Sequence, residues 1–327
     1  MKPLSVVAYF DGRPGHEKQT RGILHALSAM TPVEVDFKRV SVAPAAYVKN
    51  WAAYFVSFLL PRQRQSDDNV SHFDLIIGTG SHTHIPMLLA KKSRSSRSCQ
   101  QQHLVTCMTP DVLLRKNFDL CFVPAHDEPA PEDNIFITVG PPNTLSYEGK
   151  HQDDRGLILV GGVDIKSHIW KSEEVVAKIR IIINRNTALH WTISSSPRTP
   201  EDTCQSLEKM TASLEKVSFY RATATPPGWI EEQYAQNRTV WVTADSISMV
   251  YEALTAGCSV GVLPVEWVRP DNKFDKSLNF LIQQGMIITF DAWQQGTSMP
   301  DRKDELLNES KRCAEEILRR WWPDRLE

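Results

Sequence analysis

The chain has 327 residues, a formal net charge of −2, 41% hydrophobic residues and 23% charged ones. That balance excludes a disordered or fibrous chain and offers no basic footprint for nucleic acid, while the length suits two domains that each bury a core. The six cysteines (99, 107, 121, 204, 258 and 313) form no CxxC pair and no zinc-spaced cluster, and no apolar run reaches the ~20 residues of a membrane span, so a cytoplasmic protein with reduced thiols and no metal site is expected.

The first predicted strand, residues 5–10, runs into Asp11-Gly12-Arg13-Pro14-Gly15-His16-Glu17, with a helix over 17–30. Open α/β sheets place ligand loops at the carboxyl ends of their strands, and Gly12 and Gly15 permit a tight turn and close backbone approach. His16 is a candidate base, with Asp11 and Glu17 as its acidic neighbours; Glu17 is equally readable as an ordinary first-turn helix charge. A strand at 33–37 precedes a helix at 45–60 that stops at Pro61, with Arg62 and Arg64 beyond. This helix is unusually apolar yet too short to span a bilayer. It is either buried against the sheet or laid in a membrane interface with Trp51, Tyr54 and Phe58 inserted.

An apolar strand at 73–77 ends in Gly78-Thr79-Gly80-Ser81-His82-Thr83-His84, followed by helix to Lys91. The two histidines suit proton transfer or sugar orientation, or else merely sit at a helix cap. Strands at 103–107, 120–123 and 135–139 complete the set, and the loops 107–110 and 124–127 add Thr109 and a His126–Asp127 pair.

The polar stretch 152–155 is the expected domain boundary, giving an acceptor domain over 1–153 and a nucleotide-sugar domain over 154–327. The second half restarts with a strand at 156–160 ending in Gly161-Gly162, a helix at 173–184 and a strand at 189–193. The loop 194–200 gathers Ser195, Arg198 and a helix-starting proline, a set suited to diphosphate oxygens or to a plain helix cap. A helix at 200–214 and an extended segment at 217–220 follow. Residues 241–266 then read as buried strand, polar turn (Thr243, Ala244, Asp245, Ser246), helix, Gly257 and buried strand. A helix opening at the end of a parallel strand presents unpaired N–H groups and positive dipole, which favours phosphate. Glu252 lies further along that helix, where a carboxylate can accept from ribose hydroxyls. After a strand at 285–290, a charged amphipathic helix at 302–321 is expected to pack back on the first domain. Strands alternating with helices predict an α/β protein of two doubly wound, Rossmann-like domains facing a cleft.

Residues 245–257, read as D-S-x-S-M-x-x-E-A-x-x-x-G, resemble the donor segment of GT-B glycosyltransferases and are similar in style to the transferase that adds N-acetylglucosamine to lipid-linked muropeptide. With Asp11–Glu17, Gly78-Thr79-Gly80, Gly161-Gly162 and residues 243–249, the chain more closely resembles bacterial members of the family named for a plant mitochondrial-fission factor. The resemblance implies a metal- and cofactor-free glycosyltransferase moving sugar from a nucleotide diphosphate to a hydroxyl, on a cell-envelope glycan or lipid-linked acceptor. Interfacial contact through residues 45–60 would suit such an acceptor and would give the protein a peripheral place on the inner face of the plasma membrane. In that reading Gly161, Gly162, Ser195, Arg198, Thr243, Asp245, Ser246, Ser248, Met249 and Glu252 face the donor. Gly12, Arg13, Gly15, Gly80, Ser81, His82 and His126 face the acceptor, and Asp11, His16 and Glu17 do the chemistry. The same architecture serves sugar-nucleotide 2-epimerases, and the plant relatives suggest a non-enzymatic membrane-fission adaptor.

Overall fold

The computed structural model describes residues 1–59, 73–94, 101–301 and 306–326. The chain forms two compact units, Met1–Thr144 with Asn308–Glu327, and Leu145–Leu307.

The first unit contains β1 (Leu4–Phe10), α1 (Pro14–Met30), β2 (Val33–Arg39), α2 (Pro44–Leu59), β3 (Leu75–Gly78), α3 (Ser81–Arg94), β4 (His103–Thr106), α4 (Val112–Arg115), β5 (Leu120–Pro124) and β6 (Ile135–Thr138). Its sheet is parallel, in the order β2-β1-β3-β4-β5-β6. Parallel strands covered on both faces read as continuous apolar runs, and side chains alternate between the two faces. Leu4, Val6, Ala8 and Phe10 of β1 accordingly enter one core with Ile23 and Leu27, while Val7 and Tyr9 enter another with Tyr54, Ile85 and Leu88.

The second unit contains β7 (Gln152–Leu159), β8 (His168–Ile169), α5 (Ser172–Arg185), β9 (His190–Ser194), α6 (Glu201–Thr211), β10 (Val217–Tyr220), α7 (Trp229–Gln236) and β11 (Asn237–Thr243). It continues with α8 (Ile247–Thr255), β12 (Ser259–Leu263), β13 (Glu266–Trp267), α9 (Lys273–Gln283), β14 (Ile287–Thr289) and α10 (Phe290–Gln294). The main sheet is again parallel, ordered β10-β9-β7-β11-β12-β14, with β8 and β13 forming a small antiparallel pair. Two buried tryptophans set its interior: Trp191 of β9 lies over Gly156 of β7, and Trp241 of β11 over Gly261 of β12. At both positions a Cβ would overlap the indole.

The last helix, α11 (Glu309–Trp321), belongs to the first unit, as expected for a helix that packs back. Cys313, Ala314, Ile317 and Leu318 repeat at helical spacing and fill the same core as Ile23 and Leu27 of α1. Ser310 ties the helix down: its Oγ donates to the carbonyl of Asn143 at 2.6 Å and accepts from the Asn143 N–H at 3.0 Å. Gly22 lets α1 lie against this pair, because a Cβ there would overlap both.

The structure corrects several boundaries. The polar stretch 152–155 is not a linker but the exposed first half of β7, and the division falls at 144/145. Its polarity reflects the solvent exposure of the amino-terminal end of a central strand, not a break in the sheet. The final helix starts at Glu309, capped by Asn308 accepting from the Lys311 N–H at 2.9 Å, while 302–305 lie outside the described residues. The helix α1 begins at Pro14, three residues before the expected start, and the fixed φ and missing N–H of proline suit a first helical position, so His16 stands on the helix with Glu17. The helices α4, α7, α9 and α10 have no counterpart among the expected elements. Cys107, Cys121, Cys204, Cys258 and Cys313 are buried free thiols, and burial pushes those of Cys107 and Cys121 up to about 12; Cys99 lies outside the described residues. Among the described residues no helix is long and apolar enough to cross a membrane.

Candidate functional site

In the first unit the loops after β1 and β3 meet. Asp11 is buried, and its carboxylate binds the first turn of α1 twice: Oδ2 lies 2.8 Å from His16 Nδ1, and Oδ1 accepts from the Arg13 N–H at 3.1 Å. The Asp11 side chain has no exposure, whereas that of His16 keeps 24%. A carboxylate on Nδ1 holds the proton there and leaves Nε2 as the basic nitrogen. Gly80 fits against both, at φ +105°, where a Cβ would stand 2.6 Å from Asp11 Oδ2 and closer still to His16. Gly12, also left-handed at φ +80°, turns the chain in open space; Gly15 likewise has nothing near its Cβ position.

The other acceptor-side candidates separate. Glu17 pairs with Arg21 one turn along α1 at 3.7 Å, the structural behaviour of a helix-face charge. Arg13 reaches Asp11 only at 4.0 Å through Nε and is mostly exposed. Ser81 is exposed at the first position of α3, and the His82 ring packs against Tyr47 of α2 with centroids 5.3 Å apart. His84 is not a proton shuttle: it is buried, lies 3.2 Å from Thr106 Oγ1, and packs on Phe118. Burial, reinforced by the nearby His16, pushes its pKa down to about 4. His126 and Asp127 lie 3.8 Å apart, beyond hydrogen-bond distance, and the carboxylate takes the Thr109 hydroxyl at 2.8 Å instead.

In the second unit three loops converge at the carboxyl edge of the sheet, after β7, β9 and β11. Asp245 is at the centre with no side-chain exposure. Its Oδ2 accepts from the Gly162 N–H at 3.1 Å, from Arg198 Nη2 at 2.9 Å and from Ser246 Oγ at 3.2 Å. Its Oδ1 has no hydrogen-bond partner among the described residues. Arg198 Nη2 also approaches Ser246 Oγ at 3.4 Å, and the guanidinium side chain remains 45% exposed. One face of the cation is therefore fixed while the rest meets solvent.

Gly161 and Gly162 act by permitting this convergence. The Gly161 N–H goes to Thr243 Oγ1 at 2.7 Å and that of Gly162 to Asp245, so neither amide is left for a ligand. A Cβ on Gly161 would overlap the Asp245 carboxylate, and one on Gly162 would overlap the Arg198 backbone. Thr199, one of the hydroxyls of the 194–200 loop, and His168, which the sequence did not single out, complete the lock. Thr199 Oγ1 donates to the Gly161 carbonyl and accepts from the Ser196 N–H at 2.8 Å, while His168 Nε2 lies 2.8 Å from the Gly162 carbonyl oxygen.

The first turn of α8 lies beside Arg198. Ser246 is its N-cap and makes no side-chain cap bond; Ser248 is exposed, and Met249 is half-buried. Glu252 is buried and accepts from the Tyr234 hydroxyl of α7 at 3.3 Å. The loop after β9 also adjoins the end of β10, since the Ser195 N–H donates to the Tyr220 carbonyl at 3.1 Å and Ser195 Oγ accepts from the Ala222 N–H at 3.0 Å. There Tyr220, 41% exposed, and Trp229 at the start of α7 form an aromatic pair 5.0 Å apart. The Pro-Pro-Gly-Trp sequence before α7 was the available signal for it.

The chain belongs to the mitochondrial fission ELM1 family, whose model matches residues 14–321. Among curated proteins none matches it. Its fold is similar to that of a putative UDP-N-acetylglucosamine 2-epimerase from Listeria monocytogenes, at TM-score 0.59 and 13% identity, covering 97% of this chain and 95% of that one. A UDP-GlcNAc 2-epimerase from Methanocaldococcus jannaschii gives TM-score 0.57 and 15% identity over 97% and 99% of the two chains. A structure of the latter with UDP-GlcNAc and UDP gives TM-score 0.51 at 14% identity and the same coverage. The shared fold is two Rossmann-like α/β halves with parallel sheets.

Proposed function

We propose that this protein is a glycosyltransferase whose second unit takes a nucleoside diphosphate sugar and whose first unit carries His16 as a base for an acceptor hydroxyl. The observation that carries the reading is Arg198, fixed by buried Asp245 beside the first turn of α8 with the rest of its guanidinium exposed. A guanidinium and a helix N-terminus at one sheet edge complement a diphosphate, and the paired Asp245 sets the cation's direction before ligand arrives. The exposed Ser248 hydroxyl adds a donor, the Tyr220–Trp229 pair offers a face for the base, and Glu252, with Tyr234 holding one oxygen, accepts from the ribose. Gly161, Gly162, Thr243 and Ser195 support these groups from behind. Fold likeness to a protein seen with UDP-GlcNAc and UDP supports this ligand class.

In the reaction the acceptor oxygen bonds to the anomeric carbon as the hydroxyl proton passes to a base, the role we assign to His16 Nε2. The bond from that carbon to the β-phosphate oxygen breaks, and the electron pair leaves on the nucleoside diphosphate. Asp11 steadies the imidazolium that forms, and Arg198 meets the charge on the leaving group. A glycan or a lipid-linked sugar, as in a cell envelope, is the acceptor class we favour.

The experiment is incubation with a panel of nucleoside diphosphate sugars, following nucleoside diphosphate release with and without a glycan acceptor. Release that depends on acceptor and is lost in His16→Ala supports glycosyl transfer. Conversion of the sugar without an acceptor would instead make the protein an epimerase. Binding of no nucleotide at all would leave the adaptor reading.

A further inference from the structure

We propose that the outer face of α2 is a docking surface for an anionic phospholipid membrane. The helix sequence PAAYVKNWAAYFVSFL holds a single charged residue, Lys49. One face is accounted for: Tyr54 is buried, and Trp51 and Val40 pack on the core containing Tyr9 and Leu88. The residues expected from sequence to insert are thus partly spent, since Tyr54 faces the sheet; the Phe58 side chain lies outside the described residues. The opposite face is apolar and open. Val48 is 67% exposed, Phe55 57% and Val56 46%, with Ala45 and Ala52 exposed between them and Val42 just before the helix 46% exposed. Positions 45, 48, 52 and 55–56 recur at helical spacing, so they form one stripe.

Charge identifies the occupant. Residues 39–59 contain Arg39 and Lys49, both exposed, and no Asp or Glu, in a chain whose net charge is −2. The neighbouring helix α3 also lacks acidic residues. An apolar stripe on a helix whose one charge is the exposed Lys49 complements acyl chains beneath anionic headgroups. A second copy of the same face would bring like charge to like charge, which disfavours self-association.

The test is flotation of the full chain with vesicles of phosphatidylcholine alone and of phosphatidylcholine with phosphatidylglycerol. Binding at least about tenfold stronger to the anionic vesicles, weakened by salt, is expected. A Val48→Glu/Phe55→Glu double variant should lose about tenfold or more of that binding, and Lys49→Glu a few-fold, at unchanged melting temperature because all three side chains are exposed. The proposal is overturned if wild-type protein stays unbound, binds neutral vesicles equally well, or if the folded double variant floats like wild type. It is also overturned if the protein is a dimer that the double variant splits and that ignores vesicles.

Discussion

The carboxyl edges of the two sheets solve opposite problems with the same parts, a buried aspartate and a glycine pressed against it. In the first unit Asp11 holds His16, which keeps 24% of its side chain in solvent and a free nitrogen. In the second, Asp245 holds Arg198, which keeps 45% and a permanent positive charge. A carboxylate beneath imidazole prepares proton transfer, whereas one beneath guanidinium prepares an oriented anion site. Similar scaffolding thus supports two chemistries, and the residue on top decides which.

The sharpest separation comes from His16→Ala. Turnover should fall by about 10²–10⁴ while nucleotide-induced stabilisation persists, because the variant removes only a base. Parallel loss of nucleotide binding would break the division of labour. Next in size is Gly161→Ala, whose Cβ would overlap the Asp245 carboxylate. It should destabilise the fold by about 1–3 kcal/mol in denaturant titration and abolish the nucleotide shift, whereas Gly80→Ala should reduce turnover and spare that shift.

A third prediction concerns His84, which separates structural histidine from reactive histidine in the first unit. Its folded pKa is down at about 4 against an ordinary 6.5, so between those values the unfolded chain binds more protons. Stability is therefore complete above pH 6.5 and lost as pH falls toward 4, by at most about 3 kcal/mol from this residue. His103, stacked on Trp321 at 4.0 Å and also pushed down to about 4 by burial, adds to the same window. Denaturation midpoints of His84→Asn should decline less than those of wild type between about pH 7 and about pH 5; identical declines would contradict the assignment. The smallest effect belongs to Glu252→Gln, which keeps the contact with Tyr234 and weakens ribose acceptance. A loss of nucleotide affinity of about three- to tenfold is expected by titration calorimetry, and no loss would remove Glu252 from the site.

Much of the fold was legible because a covered parallel strand is an uninterrupted apolar run. Residues 73–77, 103–107 and 259–265 announced themselves that way, and the glycine-punctuated 241–266 segment gave its strand, helix and strand in order. The helix α9 was missed although its signal was present: Asn272 caps it by accepting from the Phe274 and Asp275 N–H groups, and Leu278 and Leu281 are its buried stripe. The site was legible in its loops but not in its connections. Nothing local marks Thr199 as the bolt between two loops or His168 as the anchor of Gly162, because those bonds join residues that only the folded sheet brings together. The glycine pair at 161–162 was legible only through the resemblance, as part of the donor side; its close neighbours, the Asp245 carboxylate and the Arg198 backbone, were not.

The most direct test of the central claim is the melting temperature of wild type and Arg198→Ala with saturating UDP and with UDP-GlcNAc. Ligand that binds only the folded state raises the melting temperature as its concentration passes the dissociation constant. A clear rise in wild type that largely disappears in an equally stable Arg198→Ala protein is the predicted result. An equal rise in both proteins, or none in either, would contradict the assignment of Arg198 and Asp245 as the built diphosphate site.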